Sequence, residues 1–360
     1  MNSFLENIFS VKNNKCHKII TILGLKVSFK SHRAKMKYLL KQEQKKNKLY
    51  KKKIIAIKEK YRSSYLKAKE LYKELSLFNY TKKFVMPEHF YSPIPNKNDS
   101  MDYIKNKEKN IPISINLNYD EQILLLQDFK KIYDENCFAE EQKDLNKTNG
   151  NLRFYHKNKM FKYSDAFGLS LFLRYFKPKN VIEIGCGFSS AVMLDTKDMY
   201  LKDENINFTY IEPYPERLLK LVSSEDNINL IQQRLQDIDY KIICDNLNEG
   251  DLLFIDSTHV LKYNSDVMYI FNKILPNLKK GVFVHFHDIF YPFEYPDVWV
   301  QQGRFWNETF YLKQFLSYNS IWKIQLWINA IYAKNSEFIK QNFPLFVKKV
   351  GGSIYLKKEK

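Results

Sequence analysis

The run Val181-Ile182-Glu183-Ile184-Gly185-Cys186-Gly187-Phe188-Ser189-Ser190 decides the architecture. Four residues rich in β-branched side chains read as a buried strand. Two glycines then make a tight turn, and a helix opens after them. A strand that closes on such a turn and passes into a helix is the first unit of a parallel α/β sheet. Downstream, short apolar runs alternate with helical stretches. Strands are predicted at Val181–Ile184, Phe208–Ile211, Ile228–Ile231, Leu252–Ile255 and Val282–Phe286, with helices including Glu216–Val222 and Val260–Leu275. Ile321–Ile328 and Ser353–Leu356 complete the set, split by a helix around Lys334–Phe343, and the last strand is expected to be antiparallel. Residues 179–360 are therefore expected to form an α/β domain on a doubly wound, mostly parallel seven-stranded sheet.

Upstream of that domain the composition changes. Residues 84–178 begin with the loop Tyr91-Ser92-Pro93-Ile94-Pro95. Two helices follow, one capped by Asp120 and running to Ile132, the other from Ser164 to Phe176 with Pro178 ending it. Residues 31–83 are a basic amphipathic helix without Pro or Gly. Residues 30–83 hold 19 Lys/Arg against 4 Asp/Glu, so this segment carries most of the net charge of +18 in the 360-residue chain. The body is close to neutral, which argues against a nucleic-acid enzyme. Such a segment suits a solvated helix or coiled-coil arm, or else peripheral contact with an anionic membrane face. Residues 1–30 are a short leader whose alternation (Ile20, Ile22; Val27, Phe29) suggests a hairpin around Gly24. No apolar run reaches the ~20 residues of a membrane-spanning helix, and no secretory signal is read. Four scattered cysteines (16, 137, 186, 244) fit a reducing compartment. A cytoplasmic protein is expected, at most peripheral to the inner face of the membrane.

Ligands of an open α/β sheet bind beyond the carboxyl ends of the strands. Four of the first five predicted strands end on an acid or imidazole group: Glu183 before the glycine turn, Glu212, Asp256-Ser257-Thr258-His259, and His287-Asp288. The spacing Gly185-x-Gly187-x-x-Ser190 lacks the third glycine of a dinucleotide fingerprint. Glu183 would repel a pyrophosphate and attract an amino group. Glu212 is placed to accept hydrogen bonds from ribose hydroxyls.

With these residues in view, the chain resembles the class I S-adenosylmethionine-dependent methyltransferases, which are Rossmann-like. Val181–Gly187 is similar to that family's first motif. The runs Phe254–Val260 and His285–Pro296 resemble a bacterial subgroup associated with surface glycans, and the resemblance extends from about Phe84 to the C-terminus. It implies an S-adenosyl-L-methionine cofactor, with Gly185, Cys186 and Gly187 along the methionine part and Glu212 at the ribose. It further implies Gln236 or Asp237 near the adenine, and Asp165 at the cofactor amine; the other reading of Asp165 is a helix-capping carboxylate. The acceptor would be a small molecule or glycan precursor.

Methyl transfer from a sulfonium needs positioning and a way to remove the acceptor's proton. His287 is the expected base, with Asp288 and Asp256 as its carboxylate partners. Asp256 and Asp288, on neighbouring strands, could instead converge on Mg²⁺ or another divalent cation, with His259 or His287 completing the set. His259 fits a helix-start role as well as a site role, and His285, inside a strand, fits a core histidine. Arg304, Asn307 and Glu308 are candidates for polar acceptor contacts, beside the aromatic run Phe290–Trp306. The competing readings are a nicotinamide-dependent oxidoreductase on a similar sheet, and a non-catalytic tether in a glycan-assembly complex.

Overall fold

The structure is a computed structural model. It describes residues 91–142, 145, 152–223, 225–226 and 228–360, backbone strands at 9–14, 17–22 and 25–28, and residues 59, 66, 67 and 89. The basic segment expected at 31–83 lies almost wholly outside the described residues. Contacts divide the chain into two units, Met1–Tyr91 and Ser92–Lys360.

The first unit contains β1 (Phe9–Asn14), β2 (His17–Ile22) and β3 (Leu25–Ser28) as an antiparallel meander. Strands β2 and β3 pair as the hairpin that the alternation suggested, with Ile22 opposite Leu25. Strand β1, with its Lys12-Asn13-Asn14 polar end, had no such signal.

The second unit is built on seven strands: β4 (Asn180–Ile184), β5 (Asn207–Ile211), β6 (Asn229–Ile231), β7 (Leu252–Ile255), β8 (Phe283–Phe286), β9 (Trp322–Trp327) and β10 (Ile354–Lys358). Their order is β6-β5-β4-β7-β8-β10-β9, with only β10 antiparallel to its neighbours. Alternate residues feed two cores. Val181, Leu252, Phe254 and Tyr355 enter one layer, while Ile182, Ile184, Leu253, Ile255 and Phe286 enter the other. Burial on both faces is why these strands read as continuous apolar runs.

Helix α1 (Lys97–Lys105) follows the Pro-rich loop and was not foreseen, although Asn96 and Asp99 form a capping box before it. Helix α2 (Tyr119–Ile132) begins one residue earlier than expected. Asp120 sits in its first turn and Asn118, in the left-handed region, is the cap. Helix α3 (Tyr163–Phe176) is buried along its first eleven residues and lies beside α4 (Phe188–Tyr200) on one sheet face. The helix expected from Val260 starts only at Asp266, capped by Ser265. Residues 256–264 are irregular instead. The Thr258 N–H and hydroxyl bond to Asp266, and Asn307 clamps the N–H and carbonyl of Leu261. The order of β4 and β7 reverses the strand sequence, so a crevice opens above their carboxyl ends.

Candidate active site

The glycine turn packs against the end of β7. Gly185 has φ +82°, and a Cβ there would stand 1.8 Å from the Asp256 carbonyl oxygen. Only glycine fits. The stem of Arg217 lies over Gly187, where a Cβ would come within 2.9 Å of its Cδ. The Cys186 N–H donates to Glu212 (3.3 Å), and Tyr214 N–H donates to the other carboxylate oxygen (2.8 Å). Glu212 is thus fixed beside the turn.

Glu183 is elsewhere than expected. It is 1% exposed, and its oxygens accept hydrogen bonds from the hydroxyls of Ser189 and Ser190, the latter at 2.5 Å. Ser190 Oγ also accepts from Gly187 N–H. The serine in the third-glycine position is therefore what seats the buried acid and ties the turn to α4. Burial, reinforced by Asp256 and Glu212 and opposed by the two serines, pushes the Glu183 carboxyl up to about 8. The expectation of a free anion facing the ligand is corrected: Glu183 shapes the loop from behind.

A cavity of roughly 400 Å³ lies above this turn. Gly185, Cys186, Gly187 and Glu212 line it together with Asp256, His259, His287, Asp288 and Trp306. Two larger grooves, of roughly 680 and 490 Å³, run along residues 111–119 and 316–324 and are lined by no histidine. The strand-end cavity holds the chemistry.

Its acid–imidazole cluster is densely charged. His259, held at φ +59°, donates its Nδ1–H to Glu308 Oε2 (2.8 Å). Its Nε2 lies 3.3 Å from Asp256 Oδ1 and 3.9 Å from Asp288 Oδ2. Burial works against its charge, yet Asp256 and Glu308 outweigh it and hold this imidazole well above its ordinary value. His259 is an imidazolium set among three carboxylates. Burial likewise opposes ionisation of Asp256, but His287, His259 and Arg217 keep its carboxyl below the usual range. Asp288 is pushed up, by burial first and by Asp256, against the pull of the two imidazoles. His287 Nε2 is 3.6 Å from Asp288 Oδ1, and the His287 ring stacks on Phe161 at 5.1 Å. Burial lowers its pKa while Asp256, Asp288 and Asp165 raise it, and the net shift is upward.

Of the expected site residues, Gly185, Cys186, Gly187, Glu212, Asp256, His259, His287 and Asp288 come together at this cavity. Asp237 does not: it is exposed and paired with Arg234 at 2.7 Å, because residues 235–237 turn away in a short 3₁₀ segment. Gln236 bonds to the Asn264 carbonyl. Asp165 does not line the cavity; it sits in the first turn of its helix, where the backbone N–H of the N-cap residue Lys162 favours its carboxylate, as the helix-capping reading expected. It is buried against Ser353, whose hydroxyl donates to it at 2.7 Å. His285 is a core histidine stacked on Phe254 at 3.8 Å. Glu308 is fully buried on His259 and Asn307 holds the 259–261 loop, so neither is an acceptor contact. Arg304 stacks over Trp299 and Trp306. Trp306 in turn covers His259 at 4.4 Å. Sequence reasoning missed Arg217 and Phe161, which lie outside any strand-end motif. Among the described residues, no group of three or more His, Cys, Asp or Glu side chains is gathered as metal ligands.

The chain is similar to several known proteins. Residues 182–289 match the family model described as a methyltransferase domain. An Archaeoglobus fulgidus protein of undescribed function is 31% identical over 168 residues, covering 44% of this chain and 71% of its own length. Among solved structures, the SAH-bound methyltransferase PaMTH1 of Podospora anserina is 14% identical. The similarity covers 75% of this chain and 99% of that one, with a TM-score of 0.36. The O-methyltransferase TomG of Streptomyces achromogenes, in complex with SAM, is also 14% identical, with coverage of 67% and 99% and a TM-score of 0.37.

Proposed function

We propose, from the methyltransferase domain that residues 182–289 match, that the chain is an S-adenosylmethionine-dependent methyltransferase and that it methylates an oxygen of a sugar, free or within a surface-glycan precursor. One observation carries the proposal. A glycine turn with its ribose-type acid and a base-and-carboxylate cluster line a single cavity.

The residues suit the donor. Glu212 stands where ribose hydroxyls are bound, Gly185 and Gly187 leave room for a ligand against the backbone, and Arg217 offers a guanidinium to a carboxylate. When bound, S-adenosylmethionine supplies an activated methyl group on a sulfonium. The protein's part is to place the acceptor oxygen in line with that methyl and to take its proton. His287 is the base in this reading: its Nε2 reaches the cavity beside Asp288, and the proton leaving the acceptor hydroxyl goes to that nitrogen. His259, kept charged by its carboxylates, neutralises Asp256 and Asp288, so that they orient the acceptor without repelling it. Trp306 offers an aromatic face to the C–H surface of a sugar ring.

Asp256 and Asp288 also have the donor chemistry for Mg²⁺ or Mn²⁺. As they stand the two carboxylates close on His259 Nε2, so a cation would have to displace that contact, and no step is routed through one. Chelation separates the cases. Transfer that survives EDTA leaves charge neutralisation to His259; transfer lost and then restored by Mg²⁺ or Mn²⁺ gives it to a cation.

The test is incubation with methyl-labelled donor and a panel of nucleotide-sugars and lipid-linked glycans, beside calorimetry with S-adenosylhomocysteine. Labelled product on a sugar hydroxyl is expected. Product only on nitrogen or on non-sugar acceptors would overturn the acceptor class. Heat with NAD and none with S-adenosylhomocysteine would overturn the donor. No helix among the described residues is long and apolar enough to cross a membrane. Peripheral contact through residues 31–83, and a cytoplasmic setting, remain proposals testable by vesicle sedimentation of the full chain.

A further inference from the structure

Among the buried polar atoms without partners, one belongs to a cavity-lining imidazole and another to a buried acid. Asp165 is 1% exposed and His287 3% exposed. Asp165 Oδ2 and His287 Nδ1 have no hydrogen-bond partner. Unpaired buried groups are costly, and each asks for an explanation.

The sheet register puts them on the same side. Strand β10 pairs with β8 so that Tyr355 faces His285 and Ile354 faces Phe286. Beyond the last pair, Ser353 precedes Ile354 and His287 follows Phe286, and the Ile289 N–H bond to the Gly352 carbonyl (2.7 Å), one residue out of that register, holds the two chain segments together. Opposed residues of an antiparallel pair project to one face; the His285 and Tyr355 rings meet there at 4.8 Å. Asp165, from α3, covers that face. Its Oδ1 accepts from Ser353 Oγ at 2.7 Å, and the neighbouring Ser164 Oγ accepts from Gly351 N–H, also at 2.7 Å. A Cβ on Gly351 would lie 1.7 Å from Asp165 Oδ2, and one on Gly352 would lie 2.9 Å from Asp288 Cα. The two glycines are what allow the α3 acid and the end of β8 to come so close. The charges of Asp165 and His287 act on one another.

We propose that Asp165 is the positioning residue for His287: the two atoms, unbonded to each other in this structure, pair when the ring carries its proton on Nδ1, Oδ2 accepting that N–H and leaving the Nε2 lone pair to the cavity. The inference rests on His287 as the base of the proposed transfer. A carboxylate behind a histidine commonly sets which nitrogen is free to react. Asp165 touches neither acceptor nor donor in this arrangement, and Ser353 holds it in place.

The test uses the full chain with ¹⁵N-labelled histidine, at a pH where the ring is neutral, with His287→Asn to assign the signals. The His287 ring is expected to carry its proton on Nδ1. In Asp165→Asn the population should move toward the Nε2–H form. Methyl transfer should lose about 10–100-fold in kcat, the range typical of groups that orient an active-site histidine, with KM for the donor changed by less than about twofold. A wild-type ring protonated on Nε2, or unchanged ring signals and kcat in Asp165→Asn, would overturn the proposal. Should that variant not fold, Ser353→Ala releases Oδ1 and is expected to move the ring signals the same way by a smaller amount; unmoved signals would overturn it. Absence of turnover in the wild-type protein would count against methyl transfer, whereas the nitrogen spectrum decides the pairing independently.

Discussion

Glu183→Gln tests where the charge of the site resides. The carboxyl is 1% exposed and is pushed from an ordinary 4.5 up to about 8, by burial first and then by Asp256 and Glu212. A group raised in the folded state favours folding below its unfolded value, and that advantage disappears as pH climbs through the folded value. Between pH 5 and 8 the native chain thus holds about one proton more here than the unfolded chain does. Linkage then lowers stability by about 1.4 kcal/mol per pH unit from this residue. Glutamine has nearly the same shape and does not titrate. The stability of Glu183→Gln relative to wild type should therefore rise by about 4 kcal/mol between pH 5 and 8, an upper figure because the neighbouring acids titrate too. Urea unfolding at four pH values measures it, with m expected to be unchanged. A flat difference across that range would mean that Glu183 is ionised throughout. It would restore the idea of a free anion beside the turn and refute the serine-seated acid.

Four further outcomes are expected. Gly185→Ala must accommodate a Cβ 1.8 Å from a carbonyl oxygen at positive φ, so S-adenosylhomocysteine binding by calorimetry should fall beyond detection. Glu212→Ala should weaken that binding by tenfold or more while the thermal midpoint moves little, since the residue sits at the rim. Glu308→Ala leaves a buried imidazolium without its 2.8 Å partner, and unfolding should show a loss of about 3–5 kcal/mol. Because a base must be neutral to work and the His287 pKa is shifted upward, kcat should rise with pH through a midpoint above the ordinary histidine value; His287→Asn should abolish that limb.

Much of the sheet was legible because its strands are buried on both faces. The run at 252–255 is apolar at every position and could be read without knowing what packs on it. The helix expected from Val260 failed for the opposite reason. Residues 256–264 are held by side chains outside the segment, Asp266 just past it and Asn307 far along the chain, and periodicity carries no trace of such tethers. The same limit separates the site residues. Glu212, Asp256, His287 and Asp288 were visible because strand ends converge whatever the side chains are. Asp237 was misplaced because a short 3₁₀ segment turned it to solvent. Asp165 was misplaced because its partner, Ser353, is 188 residues away and enters from the antiparallel strand.

Those distant partners decide which charges reach the ligand. Read in order along the chain, Glu183, Glu212, Asp256, Asp288 and Glu308 make an acidic crevice that would hold two anionic oxygens apart only at high cost. Folding changes the sum. Ser189 and Ser190 enclose Glu183 in protonatable form, Glu308 is committed to His259, and His259 in turn offers a positive edge to Asp256 and Asp288. What remains turned toward the cavity is one acid at the glycine turn and two half-neutralised acids beside His259. That pattern favours a cationic donor with hydroxyl groups on one side and a neutral, hydroxylated acceptor on the other. A pyrophosphate placed against Glu212 would meet a carboxylate, since among the described residues the one guanidinium lining the cavity, Arg217, lies over Gly187.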